Sequence, residues 1–241
     1  MPKRGAKSST AIKVVDEVIV LRRRGRGARL KEEVWQWSTG EVVKYSLADI
    51  NPTICGTDNG RVLGYDNGHG YHHRHYMGQQ EDFIFLGYEH LANHSTRKSE
   101  QYGGSKMKPK GNDNRRSSGR KLAVSTGGVD EFINRSLDRA RKLDRGERLK
   151  PELHMTFEDP ADLVRVLTTQ RIRLLETVRQ QPGPVAGLAI SLKRDRKSVG
   201  RDIKVLESLG LLRTEKKPNP GHGQITVVSP VAAKYRLTAT I

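Results

Sequence analysis

Hydrophobic positions change their spacing along this chain, and the changes mark out its elements. Val14 to Leu21 is a β-branched run, while Glu33-Val34-Trp35-Gln36-Trp37 and Val42-Val43-Lys44-Tyr45 alternate. Arg61 to Tyr65 leads into the turn signal Asp66-Asn67-Gly68, after which Tyr71 to Met77 returns. Period-two spacing and β-branched residues predict strands, so the segment to Leu91 reads as a small antiparallel sheet. From Asn93 to Gly128 the pattern lapses into Ser, Gly, Asn, Lys and Arg, with nine basic residues against two acidic ones between Arg97 and Lys121. Such a stretch has too little apolar surface to order itself and is expected to be a disordered basic linker. Helical spacing begins with Val129, Phe132, Ile133, Leu137 and Ala140 and ends near Gly146; Pro151 to Pro160 reads as a break.

After that break the signals are dense. Asp159 is a good N-cap and Pro160 a good first helical residue, with a division expected between Thr168 and Gln170. Gln181-Pro182-Gly183-Pro184 stops the second of these helices. A short apolar helix, Val185 to Leu192, is followed by the turn Lys193-Arg194-Asp195 and a helix through Leu209. Val199, Ile203, Leu206 and Leu209 form one stripe of that helix, and Arg196, Lys197, Ser198, Arg201 and Lys204 lie opposite. Gly210 ends it. Leu211 to Lys217 and Gln224 to Val228 then make a hairpin around a Pro/Gly/Asn tip. The order predicts a winged helix-turn-helix: the stripe docks the recognition helix, while Arg194, Arg196, Lys197, Ser198, Arg201 and Lys204, with Lys216 and Lys217 of the wing, face double-stranded DNA.

Composition supports a polyanion partner. The 241 residues carry a formal net charge of +17, and only 34% are aliphatic or aromatic, which suits two modest cores. A single cysteine, Cys55, excludes an intrachain disulfide and a CxxC metal site. No apolar run is long enough to cross a membrane, so a cytoplasmic protein with no membrane partner is expected.

Four of the eight histidines, His69, His72, His73 and His75, fall within seven residues. A strand from Tyr71 puts Tyr71, His73 and His75 on one face. With a five-residue loop, Tyr65 lies opposite Tyr71, Leu63 opposite His73 and Arg61 opposite His75. Three readings are open. His73 and His75, with Arg61 and Asp66, form a candidate set for metal-independent acid–base cleavage of RNA. Alternatively His69, His72, His73 and His75 ligate a divalent metal with Asp66. The third is a polar hairpin whose histidines orient the turn or contact phosphate. The leading reading assigns no metal and no cofactor.

Two resemblances add to this. Residues Arg196 to Leu212, RKSVGRDIKVLESLGLL, resemble the winged-helix antitoxin and transcriptional regulator family exemplified by TumA-type antitoxins, over about Phe132 to Leu237, with Ala233 to Leu237 as its closing strand. Residues Gly64 to His75, GYDNGHGYHHRH, after WQWSTGEVVKYSLADI, resemble TumE-type toxins over about Val14 to Leu91. The resemblance implies a small α+β toxin beside its antitoxin, here in one polypeptide. Such toxins continue into a closing helix; Asn93 to Ser99 has no apolar stripe, so the toxin-like part reads as truncated. The expected fold is α+β: a β-rich toxin-like domain at 14–92, the linker at 93–128, and a winged-helix domain at 129–241. The expected function is a toxin–antitoxin-type transcriptional regulator that binds DNA and represses its own promoter, as a homodimer and with toxin–antitoxin contact within or between chains. The alternative is an RNA-directed toxin restrained in cis.

Overall fold

The computed structural model describes residues 10–21, 24–100, 121–218 and 223–238. Its fold is mixed α+β and divides into two compact units. The first is built mainly from residues up to Asp159, the second mainly from Pro160–Arg236. Among the described residues no helix is long and apolar enough to cross a membrane.

The first unit contains β1 (Ile12–Val20), β2 (Arg29–Gln36), β3 (Val42–Ile50), β4 (Arg61–Asp66), β5 (His73–Tyr76) and β6 (Gln79–Asp82). It continues with α1 (Tyr88–Glu100), β7 (Lys121–Thr126), α2 (Val129–Asp144) and β8 (Glu152–Phe157). Its sheet runs β7-β8-β1-β2-β3-β4-β5-β6. The meander β1 to β6 is antiparallel, but β8 joins β1 in parallel, Val15 opposite Glu152 and Val20 opposite Phe157. Val14, Val15, Val34, Tyr45, Leu63 and Tyr65 of the sheet pack with Leu91 of α1 and Leu143 of α2. A neighbouring cluster joins Ile19, Leu21, Ala28 and Leu30 to Phe132.

Three expectations change here. The stretch from Pro151 to Pro160, expected as a break, contains β8, whose Met155 and Phe157 are buried. The prolines flank the strand rather than interrupt it, so no ladder hydrogen bond is lost. The helix thought missing after Leu91 exists as α1. Its first turn is capped from far along the chain: the Asp144 carboxylate accepts the N–H groups of Tyr88 and Glu89 at 2.7 and 2.8 Å. The expected linker therefore begins inside a helix and ends in a strand, β7; its middle, residues 101–120, lies outside the described residues.

The boundary expected between Gly128 and Val129 also moves, because α2 belongs to the first unit. Glu17 and Glu32 are paired across β1 and β2, and both are buried. Two carboxylates so placed would repel each other in a low-dielectric interior. Arg139 of α2 bridges them, reaching Glu17 at 2.5 Å and also binding Glu32, while Arg135 holds Glu17 at 2.6 Å.

The second unit comprises α3 (Pro160–Val166), α4 (Thr169–Gln180), β9 (Gly183–Pro184), α5 (Val185–Ser191), α6 (Arg196–Ser208), β10 (Leu212–Pro218) and β11 (Gln224–Pro230). β12 (Lys234–Thr238) closes the chain. The short sheet is ordered β10-β11-β9, and Pro184 faces Val227. Its core gathers Leu174 and Val178 of α4, Leu188 of α5, Val199, Ile203 and Leu206 of α6, and Leu211, Leu212 and Val228. Thr168 caps α4 by accepting the Arg171 N–H, and Asp195 caps α6 by accepting the Ser198 N–H at 2.8 Å. Gly210 takes the left-handed conformation, φ 71°, that ends α6 without Cβ strain.

Candidate functional site

The histidine hairpin sits on β4 and β5, with a register three residues from the one expected. Asp66 faces His73, Gly64 faces His75, and Leu63 faces Tyr76. The turn signal at Asp66-Asn67-Gly68 is used differently from a short hairpin turn. Asn67 stitches sideways to β3, accepting the Tyr45 N–H at 2.8 Å and donating to the Val43 carbonyl at 3.1 Å. Asp66 Oδ1 accepts the Gly68 N–H at 2.9 Å, an Asx turn. The connection consequently runs from Asn67 to His72. Because the shift is odd, it exchanges faces. Leu63 and Tyr65 now lie in the core, and Asp66, His73 and His75 share the other face.

All four residues expected as a set meet there. His73 Nε2 lies 3.0 Å from Asp66 Oδ1, His75 Nε2 lies 3.5 Å from Asp66 Oδ2, and Arg61 donates to Asp66 Oδ2 at 3.0 Å. Gly64 makes the room: a Cβ there would fall 2.5 Å from Arg61 Cδ. Asp58 is a member the sequence reading did not include, its Oδ2 lying 2.9 Å from His75 Nδ1. It is presented from a left-handed turn in which Asp58 and Asn59 have φ of 45° and 55°. The Tyr71 carbonyl binds His73 Nδ1 at 3.1 Å.

Electrostatics sort the charges. Burial raises the Asp66 carboxyl, but the Gly68 N–H and the neighbouring His73, Arg61 and His75 outweigh it and hold it below the ordinary value. Burial and the Arg61 cation depress His75 against the pull of Asp58 and Asp66. His73 is wholly enclosed, so its ring cannot touch an RNA phosphodiester. This conflicts with the expected use of His73 as a proton-transfer group. His72, one of the alternative metal ligands, is committed elsewhere: it stacks on Phe85 at 4.2 Å, and its Nδ1 is 2.9 Å from the Tyr45 hydroxyl.

The second candidate surface is α6 with the hairpin after it. Val199, Ile203 and Leu206 are buried, while Arg196, Lys197, Arg201 and Lys204 are exposed. No ion pair involves these four cations among the described residues. Lys216 and Lys217 are exposed on β10, Lys217 lying 3.4 Å from Glu215; the hairpin tip, 219–222, lies outside the described residues. Arg194 differs from the expectation for it. Its guanidinium donates to Asp202 at 2.7 Å and to Ser198 Oγ at 3.1 Å, and Arg171 holds the other oxygen of Asp202 at 2.9 Å. Arg194 thus ties the turn to Ser198 and Asp202 of α6, and Arg171 ties α4 to the same Asp202.

Comparison with known proteins finds similarity over part of the chain. The family HVO_A0114 matches residues 166–228, which span α4 to β11 apart from its last residues. A solved structure described as a possible transcriptional regulator from Methanosarcina mazei Go1 is 20% identical, with a TM-score of 0.26. It covers 28% of this chain, and this chain spans 61% of it. No curated protein matches.

Proposed function

We propose that the second unit is a winged helix-turn-helix that reads double-stranded DNA, and that the chain is a transcriptional regulator. The observation that carries this reading is the division of α6: a buried stripe of Val199, Ile203 and Leu206 beneath a face of four exposed cations with no ion-pair partner among the described residues. A helix so anchored presents rigid donors at the width of a major groove. Lys216 and Lys217 on the hairpin add phosphate contacts at the edge of such a groove. The resemblance of the two halves to a toxin and its antitoxin extends the proposal: a toxin–antitoxin-type fusion that represses its own promoter.

The direct test is selection of duplexes from a randomised pool by the full-length chain, followed by titration across a range of salt. Enrichment of a defined sequence is expected, with log K falling against log salt by about 0.9 per phosphate contact. Failure to enrich any sequence, with no retention of duplex even at low salt, refutes it.

A further inference from the structure

We propose that Asp66, His73 and His75 form a binding site for one divalent transition-metal ion of the zinc class. The inference concerns the first unit and stands apart from DNA recognition.

The surroundings of the two rings direct it. His73 Nδ1 is at 3.1 Å from the Tyr71 carbonyl, an acceptor, so that nitrogen carries the ring proton. In the neutral ring the lone pair then sits on Nε2, which points at Asp66 Oδ1, also an acceptor, 3.0 Å away. His75 has Nδ1 in ion-pair contact with Asp58 Oδ2 at 2.9 Å, and its Nε2 lies 3.5 Å from Asp66 Oδ2. Both ε nitrogens are buried without a hydrogen-bond partner among the described residues. The ligand atoms of His73, His75 and Asp66 all lie within 4.8 Å of one another. A cation between them would give both orphaned nitrogens a partner beside a carboxylate.

The dimensions and chemistry agree. Zinc bonds of about 2.0–2.2 Å in tetrahedral geometry set neighbouring ligand atoms roughly 3.3–3.6 Å apart; the ε nitrogens of His73 and His75 lie 3.0 and 3.5 Å from Asp66 Oδ1 and Oδ2, and the set lies within 4.8 Å. Histidine ligands normally give their second nitrogen to a carbonyl or carboxylate, which fixes tautomer and ring orientation; the Tyr71 carbonyl and Asp58 are placed for this. Asp66 Oδ1 accepts the Gly68 N–H and Oδ2 the Arg61 guanidinium, and each carboxylate oxygen keeps a second lone pair that can bind the ion. Two imidazoles and one carboxylate favour zinc or a similar ion over magnesium, which prefers an oxygen shell and keeps its waters. Three protein ligands leave a fourth position open.

The test uses the full-length chain, stripped with a chelator and dialysed against Zn²⁺, Co²⁺ or Mg²⁺. One Zn²⁺ per chain is expected, a tetrahedral Co²⁺ absorption spectrum, and no stoichiometric Mg²⁺. Asp66→Asn and His75→Ala should each abolish the stoichiometric site, and Asp58→Asn should weaken it by about 10–100-fold. His90→Ala, an exposed histidine elsewhere, should leave it intact. Circular dichroism of each stripped variant separates loss of the site from loss of the fold, and Asp66→Asn, nearly isosteric, keeps the test open if a histidine variant unfolds. No bound Zn²⁺ in the folded wild type, or stoichiometric Zn²⁺ retained by both Asp66→Asn and His75→Ala, would overturn the proposal.

Discussion

Arg139→Leu is the sharpest probe of how the first unit is held together. Arg139 is the bridge between two buried carboxylates. Its removal does not affect them equally: Glu17 keeps Arg135 at 2.6 Å, whereas Glu32 loses its ion-pair partner. One uncompensated buried charge costs about 3–5 kcal/mol, a fifth or more of the roughly 5–15 kcal/mol that a domain has in total. Urea unfolding of the full-length chain, followed by a probe on the first unit such as the fluorescence of Trp35 and Trp37, measures it. The loss should be relieved in Arg139→Leu/Glu32→Leu, which removes the orphaned charge with its partner. A loss below about 1 kcal/mol, or a double variant no better than the single, would refute the view that α2 docks through this bridge.

Asp202→Ala should loosen α6 from α4, because it strips two arginines of a shared carboxylate; hydrogen bonds to charged groups are worth about 1.5–3 kcal/mol, read by thermal or urea unfolding of the second unit. Burial raises the Asp202 carboxyl, but Arg194 and Arg171 outweigh it and bring it below the ordinary 3.8. Its stabilising effect is thus complete above that value and lost as pH falls through the lower folded-state value, so acid should erase the difference between wild type and variant. Gly64→Ala should push Arg61 off Asp66 and cost about 1–3 kcal/mol, the usual range for overpacking; an unchanged melting temperature would show that Arg61 has room to spare.

What the sequence disclosed follows from how local each signal is. The helices of the second unit are marked by residues inside or beside them, such as Asp195 before α6, Gly210 after it, and the stripe between. The first unit depends on long-range partners. The cap of α1 is Asp144, so nothing near Tyr88 announces a helix, and within Asn93 to Ser99 there is no stripe to find. β8 is hidden because Pro151 and Pro160 dominate a six-residue strand whose partner, β1, lies far back in the chain. The candidate site was half legible. Asp66, His73, His75 and Arg61 cluster in sequence and in space, but the register that joins them is set by the Asn67 side chain bonding to β3. Asp58 sits in a Thr-Asp-Asn-Gly turn that signals only a bend. The internal partner of Arg194 was hidden for the same reason, since Asp202 lies two turns into the following helix.

The most direct measurement of the central claim compares wild type with Arg196→Ala/Lys197→Ala/Arg201→Ala on the duplex that the wild-type chain selects. None of the three has an ion-pair partner among the described residues, so their loss should leave the fold unchanged. Each good base contact is worth about 1–3 kcal/mol, and losing two should weaken specific binding by roughly 30-fold or more. The affinity for unrelated duplex should fall much less, narrowing the ratio between the two. Equal affinity of wild type and variant for the selected duplex, with circular dichroism showing both folded, would contradict the assignment of α6 as the DNA-reading helix.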